Sequence, residues 1–313
     1  MSFSHEVKKE LSKIENLSHQ LEFAECYGLM LFARPFSAGE IKLKTESINV
    51  AERFITLSQK LFNPIIEKQS TLKASREFIN LHTISLILPD ECKRIYSTFG
   101  HDESDTALRL NRGNIENDMC ISAFLRGAFL SCGSVNDPLK NYHLEFCTAY
   151  KNLSNDLCML LSEIRECNLT PKTIIRSGSY VVYLKDSEQI TDLLTYMGAT
   201  SCAMDIMNAK AYKQMRNIAN RRTNSELANI NKTATAAAKQ LSAIEKIDAT
   251  SGLASLPDQL YKIALLRRDN PELSLRDLGL LLDPPISRSG VNHRLMKIIE
   301  LSGIEDTTLE NNN

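Results

Sequence analysis

The feature that most constrains the fold is a tandem repeat, in which two segments of roughly a hundred residues show the same order of apolar patterns. Each segment predicts a helix, a strand, a second helix, two more strands and a closing helix. In the first segment these elements fall at 21–33, 40–46, 49–62, 64–67, 78–88 and 89–99. In the second they fall at 118–130, 142–147, 152–167, 173–175, 180–184 and 186–197. Because Gly28 and Gly127 occupy equivalent points, we expect two halves related by a pseudo-twofold axis.

The pattern changes after Thr200, where the sequence predicts helices only. Apolar residues recur there at steps of three and four, which indicates an amphipathic helix. These residues are Leu227, Ile230, Ala234, Ala237, Leu241 and Ile244. Gly252 ends this helix. The chain is therefore predicted to be α+β at 1–204, a helical linker at 205–252, an all-α domain at 253–303 and a flexible tail at 304–313.

Three short helices are predicted between 256 and 302. Pro257 suits the first turn of the first helix, and prolines end the first two helices because proline interrupts the backbone hydrogen bonds. Ser274 caps the second helix, with Asp277 three residues later as in a capping box. Ser287 begins the third. Two short helices joined by a tight turn indicate a helix-turn-helix.

The third of these helices has an apolar side and a polar side. At about 100° per residue, Val291, Leu295, Ile298 and Ile299 fall together, and Ser289, His293 and Lys297 fall opposite them. In a helix-turn-helix the beginning of this helix enters the major groove of DNA. The predicted DNA-binding residues are Ser274, Arg276, Ser287, Arg288, Ser289, Gly290, Asn292, His293, Arg294 and Lys297.

These residue types suggest distinct roles. Ser289, Asn292 and His293 are expected to meet base edges, and Gly290 would let the backbone approach the DNA. Arg288, Arg294 and Lys297 would neutralise phosphates.

The charge distribution favours a polyanionic partner for the C-terminal part of the chain. Residues 205–300 carry 15 Lys and Arg against 10 Asp and Glu, although the whole chain has a net charge of −1. Arg216, Arg221 and Arg222 lie near the predicted domain junction. They would either contact DNA phosphates or join the two domains through charge-assisted hydrogen bonds, and both interpretations stay open.

Cysteine and histidine spacing indicates neither a metal site nor a cofactor. The eight cysteines form no C-x-x-C pair, and the six histidines form no H-x-x-x-H pair. The sequence has no apolar run of membrane-spanning length and no signal peptide at its beginning. We therefore expect a cytoplasmic, nucleoid-associated protein with double-stranded DNA as its partner and no membrane contact.

Four parts of the sequence carry specific motifs, at 2–4 with 7–11, 124–138, 214–224 and 282–295. Together they resemble the WhiA family of bacterial sporulation and cell-division regulators, and the resemblance covers essentially the whole chain. The resemblance implies a degenerate tandem LAGLIDADG homing-endonuclease-like domain joined to an all-α helix-turn-helix domain. It also implies a regulator of cell division, chromosome segregation or sporulation-type transcription, with a protein partner in the transcription or division machinery.

The chain departs from the endonuclease pattern where that fold binds Mg²⁺. Such nucleases carry an acidic residue at the end of each LAGLIDADG helix, because Mg²⁺ needs oxygen ligands. Here Ala33 and Cys132 occupy those positions. We therefore expect a protein that is not an enzyme.

Two alternatives to a DNA-binding regulator remain. The first is an active homing endonuclease, which Ala33 and Cys132 disfavour. The second is an interaction module whose repeat domain binds a protein while its helix-turn-helix is secondary. A basic sheet surface would favour DNA over protein, whereas residues 1–204 carry a net charge of −3.

Overall fold

The computed structural model describes residues 2–15, 18–74 and 78–304. Two compact units divide at Met215 and Arg216. The predicted flexible tail at 304–313 lies outside the described residues except for Ile304.

The first unit contains the tandem repeat. Its helices are α1 Phe3–Leu11, α2 His19–Leu31, α3 Ile48–Phe62, α4 Pro89–Thr98, α5 Asp118–Cys132, α6 Lys151–Glu163 and α7 Ser187–Met197. Its strands are β1 Lys42–Thr45, β2 Ile66–Ala74, β3 Phe78–Leu86, β4 Gly133–Val135, β5 Leu144–Thr148, β6 Lys172–Arg176 and β7 Ser179–Leu184.

The two sheets show the repeat directly. The first has the order β1-β3-β2, and the second has the order β4-β5-β7-β6, with all described pairs antiparallel. Strands β5, β7 and β6 thus match β1, β3 and β2, and β4 is an addition in the second half. The predicted order of elements is confirmed, including the cap of α7 by Gly198, whose φ of 101° suits glycine.

Most predicted boundaries agree with the structure to within two residues, and two differ by more. Strand β2 was expected to end at residue 67 but continues to Ala74, because it pairs with β3 along its whole length. Residues 68–71 are all polar, so this part of the strand lacks the alternation of apolar and polar residues that indicates a strand. Helix α6 was expected to reach residue 167 but ends at Glu163, with Ile164 in an extended conformation.

Helices α2 and α5 pack closely in the core of the first unit. A Cβ atom on Gly28 would lie 2.1 Å from the Phe124 carbonyl oxygen, so only glycine allows this approach. The buried Glu25 carboxylate accepts hydrogen bonds from Arg53 at 2.7 and 2.9 Å and from Arg126 at 3.1 Å. Opposite charges therefore compensate within this core, as buried charges require.

A long helix, α8 Thr200–Thr250, follows and belongs to the second unit from Arg216 onwards. The helix predicted there is confirmed, and it ends just before Gly252. Its apolar side is covered only in part, because Leu227 is 52% and Ile230 is 63% exposed, whereas Ile244 is fully buried.

The second unit is completed by α9 Asp258–Asp269, α10 Leu275–Leu280 and α11 Arg288–Leu301. Its core joins the end of α8 to all three short helices. The fully buried members include Ala243, Ile244, Ile263, Ala264, Leu278, Val291, Leu295 and Ile298.

Candidate nucleic-acid interface

Side-chain caps fix the beginnings of α10 and α11. The Ser274 hydroxyl accepts from the Asp277 backbone N–H at 3.3 Å and lies 2.7 Å from the Asp277 carboxylate. The Ser287 hydroxyl accepts from the Gly290 backbone N–H at 3.3 Å and lies 2.9 Å from the Ser289 hydroxyl. Both predicted caps are confirmed. Such caps satisfy backbone donors that the first turn of a helix leaves free.

Helix α11 presents the predicted polar side to solvent. Val291, Leu295 and Ile298 are fully buried, and Ile299 is 7% exposed. Ser289, Asn292, His293 and Lys297 are exposed, together with Arg276 of α10 and with Ser287 and Arg288 at the start of α11. Gly290 and Arg294 are half-buried. The separation of apolar and polar faces is therefore confirmed, and the exposed face leaves hydrogen-bonding groups free for a ligand.

A groove of about 590 Å³ runs between the beginning of α9 and the exposed face of α11. Gly290, His293, Arg294 and Lys297 line one side. Asp258 lies on the other side, where its carboxylate is 3.4 Å from the Lys262 ammonium. This carboxylate is a negative charge beside an otherwise basic surface.

A second concavity, which we call the basic cleft, has a volume of about 420 Å³ and is formed by α8, α9, α10 and α11. Its lining includes the predicted residues Ser274, Arg276, Arg288 and Asn292. The rest of the lining comes from residues that the sequence analysis did not propose for DNA binding, namely Lys232, Thr233, Ala236, Gln240, Arg267 and Leu275.

Arg267 is the most informative of the missed residues, because its charged side chain is only 2% exposed. Its Nε donates to the Gln240 side-chain oxygen at 2.8 Å, and Nη1 donates to the Leu273 carbonyl oxygen at 2.6 Å. Burial lowers the pKa of this guanidinium, although an arginine stays charged at neutral pH. A sequence signal existed, since Arg267 continues the buried spacing of Leu260, Ile263 and Ala264 along α9.

Gly279 was also missed, although a glycine within a short predicted helix was the available signal. A Cβ atom there would lie 2.4 Å from the Ile286 carbonyl oxygen and 3.2 Å from a Val291 methyl group. The Ile286 backbone N–H donates to the Gly279 carbonyl oxygen at 3.1 Å. Gly279 therefore sets how closely α10 approaches the beginning of α11.

The three arginines near the predicted junction lie on α8. Arg216, Arg221 and Arg222 are exposed, and Arg222 Nε is 2.9 Å from the Glu226 carboxylate four residues later. Exposed pairs of this kind contribute little to stability.

Ala33 and Cys132 stand at the two positions where the sequence analysis expected the metal ligands of the endonuclease fold. Cys132 ends α5, and burial raises the pKa of its thiol to about 12, although Lys8 and Arg34 act in the opposite direction. Arg34 also donates to the Cys147 carbonyl oxygen at 3.0 Å, and Ala33 offers no ligand atom on its side chain. A buried thiol with a raised pKa at Cys132 and the methyl group of Ala33 do not fit Mg²⁺, which needs oxygen ligands.

Within residues 2–15, 18–74 and 78–304, no group of three or more His, Cys, Asp or Glu side chains is placed to hold a metal ion. Across the same ranges, no helix has the length and apolar character that crossing a membrane requires.

The fold and interface together define a DNA-binding helix-turn-helix protein with a LAGLIDADG-like domain. Sequence models of the WhiA LAGLIDADG-like domain and of the WhiA C-terminal HTH domain match residues 121–216 and 219–302. The chain is 36% identical to a protein of Alkaliphilus metalliredigens over 97% of this chain and 98% of that one. It is 39% identical to a protein of Lachnoclostridium phytofermentans over 96% and 98%. Both relatives are named "Probable cell division protein WhiA".

The crystal structure of full-length DUF199/WhiA from Thermotoga maritima has the same fold, with a TM-score of 0.58 and 24% identity over 98% of this chain and 100% of that one. The chain belongs to the WhiA family. The predicted fold class and the resemblance are thereby confirmed.

Proposed function

We propose that this protein binds double-stranded DNA through the exposed face of α11 and regulates cell division, chromosome segregation and sporulation-type transcription. The family and its HTH domain support DNA binding and a link to cell division. The observation that carries the proposal is the exposed row of Ser289, Asn292, His293 and Lys297 on a helix whose other side is fixed in a core. We further propose that the protein acts in the cytoplasm on the nucleoid.

The exposed face supports two kinds of contact. The Asn292 amide suits the two hydrogen-bonding atoms of adenine in the major groove, and Ser289 and His293 offer further polar groups to base edges. Arg276, Arg288, Arg294 and Lys297 would hold phosphates. Because their hydroxyls serve as caps, Ser274 and Ser287 would act mainly by orienting the two helices.

Fluorescence anisotropy tests these roles with a duplex that the full-length protein selects from a random library. Lys297→Ala would weaken binding to every duplex and reduce the magnitude of the log–log salt slope by about 0.9, the share of one phosphate. Asn292→Ala would instead weaken the selected duplex by about 1–3 kcal/mol and leave a scrambled duplex nearly unaffected. Equal binding of both variants and the wild type to the selected duplex would overturn the proposal.

We also propose that the protein is not a nuclease. The support comes from the buried thiol of Cys132 at the end of α5 and from Ala33, two residues after the end of α2. We also propose that the chain divides into a repeat domain at 1–204, a helical linker at 205–252 and a DNA-binding domain at 253–303. The repeat domain would then support the DNA-binding domain. Arg216, Arg221 and Arg222 are additional candidates for phosphate contacts, or for contacts between the domains.

A second candidate function for the repeat domain is protein binding. The edge strand β6 exposes Ile174 and Ile175, which suits a partner that adds a strand or covers an apolar patch. Arg176, on the same strand, is 2.7 Å from the Glu145 carboxylate, so its charge is already compensated. A complementation assay with Ile175→Glu tests this function, and the expected result is lost cellular activity with unchanged DNA affinity. Full complementation by this variant would argue against a partner at β6.

A further inference from the structure

The basic cleft collects four cationic side chains from four different helices. Lys232 comes from α8, Arg267 from α9, Arg276 from α10 and Arg288 from α11. The polar groups of Thr233, Gln240, Ser274 and Asn292 complete the hydrogen-bonding part of the lining. Like charges repel one another when they are brought together, and neither Asp nor Glu lines this cleft to balance them. The arrangement therefore favours an anion.

One of these four cationic side chains, Arg267, is buried, so the excess of positive charge extends below the protein surface. Its guanidinium is held by the Gln240 amide oxygen and by the carbonyl oxygens of Pro271 and Leu273, at 2.8, 3.4 and 2.6 Å. These acceptors are neutral, and no carboxylate among the described residues pairs with Arg267. Because a buried charge is costly unless it is compensated, an anion bound in the cleft would remove an energetic penalty that the free protein carries.

The position of the cleft indicates where such an anion would come from. Arg288 and Asn292 line the cleft and also belong to the first two turns of α11. The same turns carry Ser289 and His293 on the exposed face. DNA that follows this face therefore brings its sugar-phosphate backbone past the opening of the cleft. The positive end of the helix dipole at the beginning of α11 adds to the attraction.

We propose that the basic cleft binds one backbone phosphate of the DNA that α11 contacts. The proposal rests on the proposed DNA-binding function and assigns a phosphate-binding role to Lys232, Arg267 and Gln240, which lie on α8 and α9 outside the two helices of the helix-turn-helix. Arg267 supplies the fixed charge, and Gln240 positions its guanidinium. Lys232 on α8 and Arg276 on α10 donate hydrogen bonds to the same phosphate.

The first test measures the salt dependence of binding to the selected duplex. Lys232→Ala and Arg276→Ala are each expected to weaken binding about tenfold, the size of one hydrogen bond to a charged group. Because both act on one phosphate, the double variant would reduce the magnitude of the log–log salt slope by about 0.9 and no further. An unchanged slope, or a reduction of about 1.8 that indicates two separate phosphates, would overturn the proposal.

Lys246→Ala is the matched control, since Lys246 lies on α8 outside the cleft and contacts the Gly303 carbonyl oxygen at 3.4 Å. It is expected to bind like the wild type. Thermal melting of every variant separates lost binding from lost folding.

The second test identifies the phosphate. Duplexes that carry a single neutral methylphosphonate at successive positions are titrated with the wild type and with the double variant. One position is expected to weaken the wild type about tenfold and to weaken the double variant much less, because both changes act on the same contact. If no position shows this coupling while the wild type still binds the selected duplex, the cleft assignment fails and the proposed function stands. If the wild type binds no selected duplex at all, the proposed function itself fails.

A third arm separates backbone phosphate from a free phosphate compound. The melting temperature of the wild type is measured with dAMP or with chloride at equal ionic strength, in the absence of DNA. One outcome is that dAMP raises the melting temperature of the wild type but not of the double variant, while no methylphosphonate position shows coupling. This outcome would assign the cleft to a free phosphate compound and overturn the backbone assignment. Coupling at a single position would support the backbone assignment.

Discussion

Gly28 and Gly127 are reciprocal partners across the contact between α2 and α5. A Cβ atom on Gly28 would lie 2.1 Å from the carbonyl oxygen of Phe124, three residues before Gly127. A Cβ atom on Gly127 would lie 2.0 Å from the carbonyl oxygen of Glu25, three residues before Gly28. This symmetry is the local form of the pseudo-twofold axis that the repeat predicts.

We expect Gly28→Ala and Gly127→Ala each to destabilise the protein. Alanine is favoured over glycine within a helix by about 1 kcal/mol. An overlap with the backbone costs on the order of 3 kcal/mol, because neither helix can move without disturbing the core. The net effect is a loss of about 2 kcal/mol in the free energy of unfolding, measured by urea denaturation. Gly39→Ala is the control, since nothing lies within 4 Å of a Cβ atom there. Variants at Gly28 and Gly127 as stable as Gly39→Ala would contradict this packing.

Gly279 and Gly290 offer a matched pair in the DNA-binding unit. Gly279→Ala is expected to lower stability and DNA affinity together, because its Cβ atom would overlap the Ile286 carbonyl oxygen and displace the beginning of α11. At Gly290 a Cβ atom would meet only ordinary contacts, the nearest at 3.5 Å. Gly290→Ala should therefore fold normally and lose affinity only, because its methyl group would stand between the backbone and the DNA.

Calorimetry and anisotropy on the same samples separate the two effects. A Gly290→Ala variant with wild-type affinity would show that the backbone does not approach DNA at this point. Normal stability of Gly279→Ala would show that the turn before α11 can widen without cost.

Removal of the Asp258 charge should strengthen DNA binding. Its carboxylate lines the groove that His293, Arg294 and Lys297 share, so it repels a phosphate backbone that follows these residues. We expect Asp258→Asn to raise affinity several-fold at low salt and less at high salt, because salt screens the repulsion. Glu245→Gln on α8, outside this groove, is the charge-matched control. An equal gain for both variants would indicate only a general effect of net charge.

The purified protein should leave supercoiled plasmid intact in the presence of Mg²⁺ or Mn²⁺. The reason is the residue at the end of α5, where the endonuclease fold needs a carboxylate. Cys132 stands there instead, and burial raises the pKa of its thiol, which therefore stays protonated at neutral pH. Gel electrophoresis measures nicking, with a mock purification as the control for contaminating nuclease. Nicking that depends on the protein and persists through repurification would contradict this prediction.

Much of the fold was predictable because its signals are local. Caps such as Ser287, helix ends such as Gly198 and the apolar side of α11 all depend on residues close in sequence. Strand β2 was underestimated because its length is fixed by β3 rather than by its own polar residues.

The candidate site was predictable only where it belongs to one helix. The exposed face of α11 follows from its periodicity. The basic cleft does not follow from the periodicity of any one helix. Lys232 and Arg288 are far apart in the chain and line the same cleft only because α8 packs on the three short helices. The role of Arg267 depends likewise on Gln240, which lies 27 residues earlier.

The cations around Cys132 make the departure from nuclease chemistry hard to reverse by single mutations. Lys8 and Arg34 both act to lower the pKa of the Cys132 thiol, so the same positive charges would weaken the attraction of an aspartate at 132 for a metal ion. Ala33 would need its own acid, and both cations would have to be replaced before the two carboxylates became available. If the protein is not a nuclease, as we propose, neither half of the repeat needs a metal ligand at the end of its helix, and both serve as a scaffold.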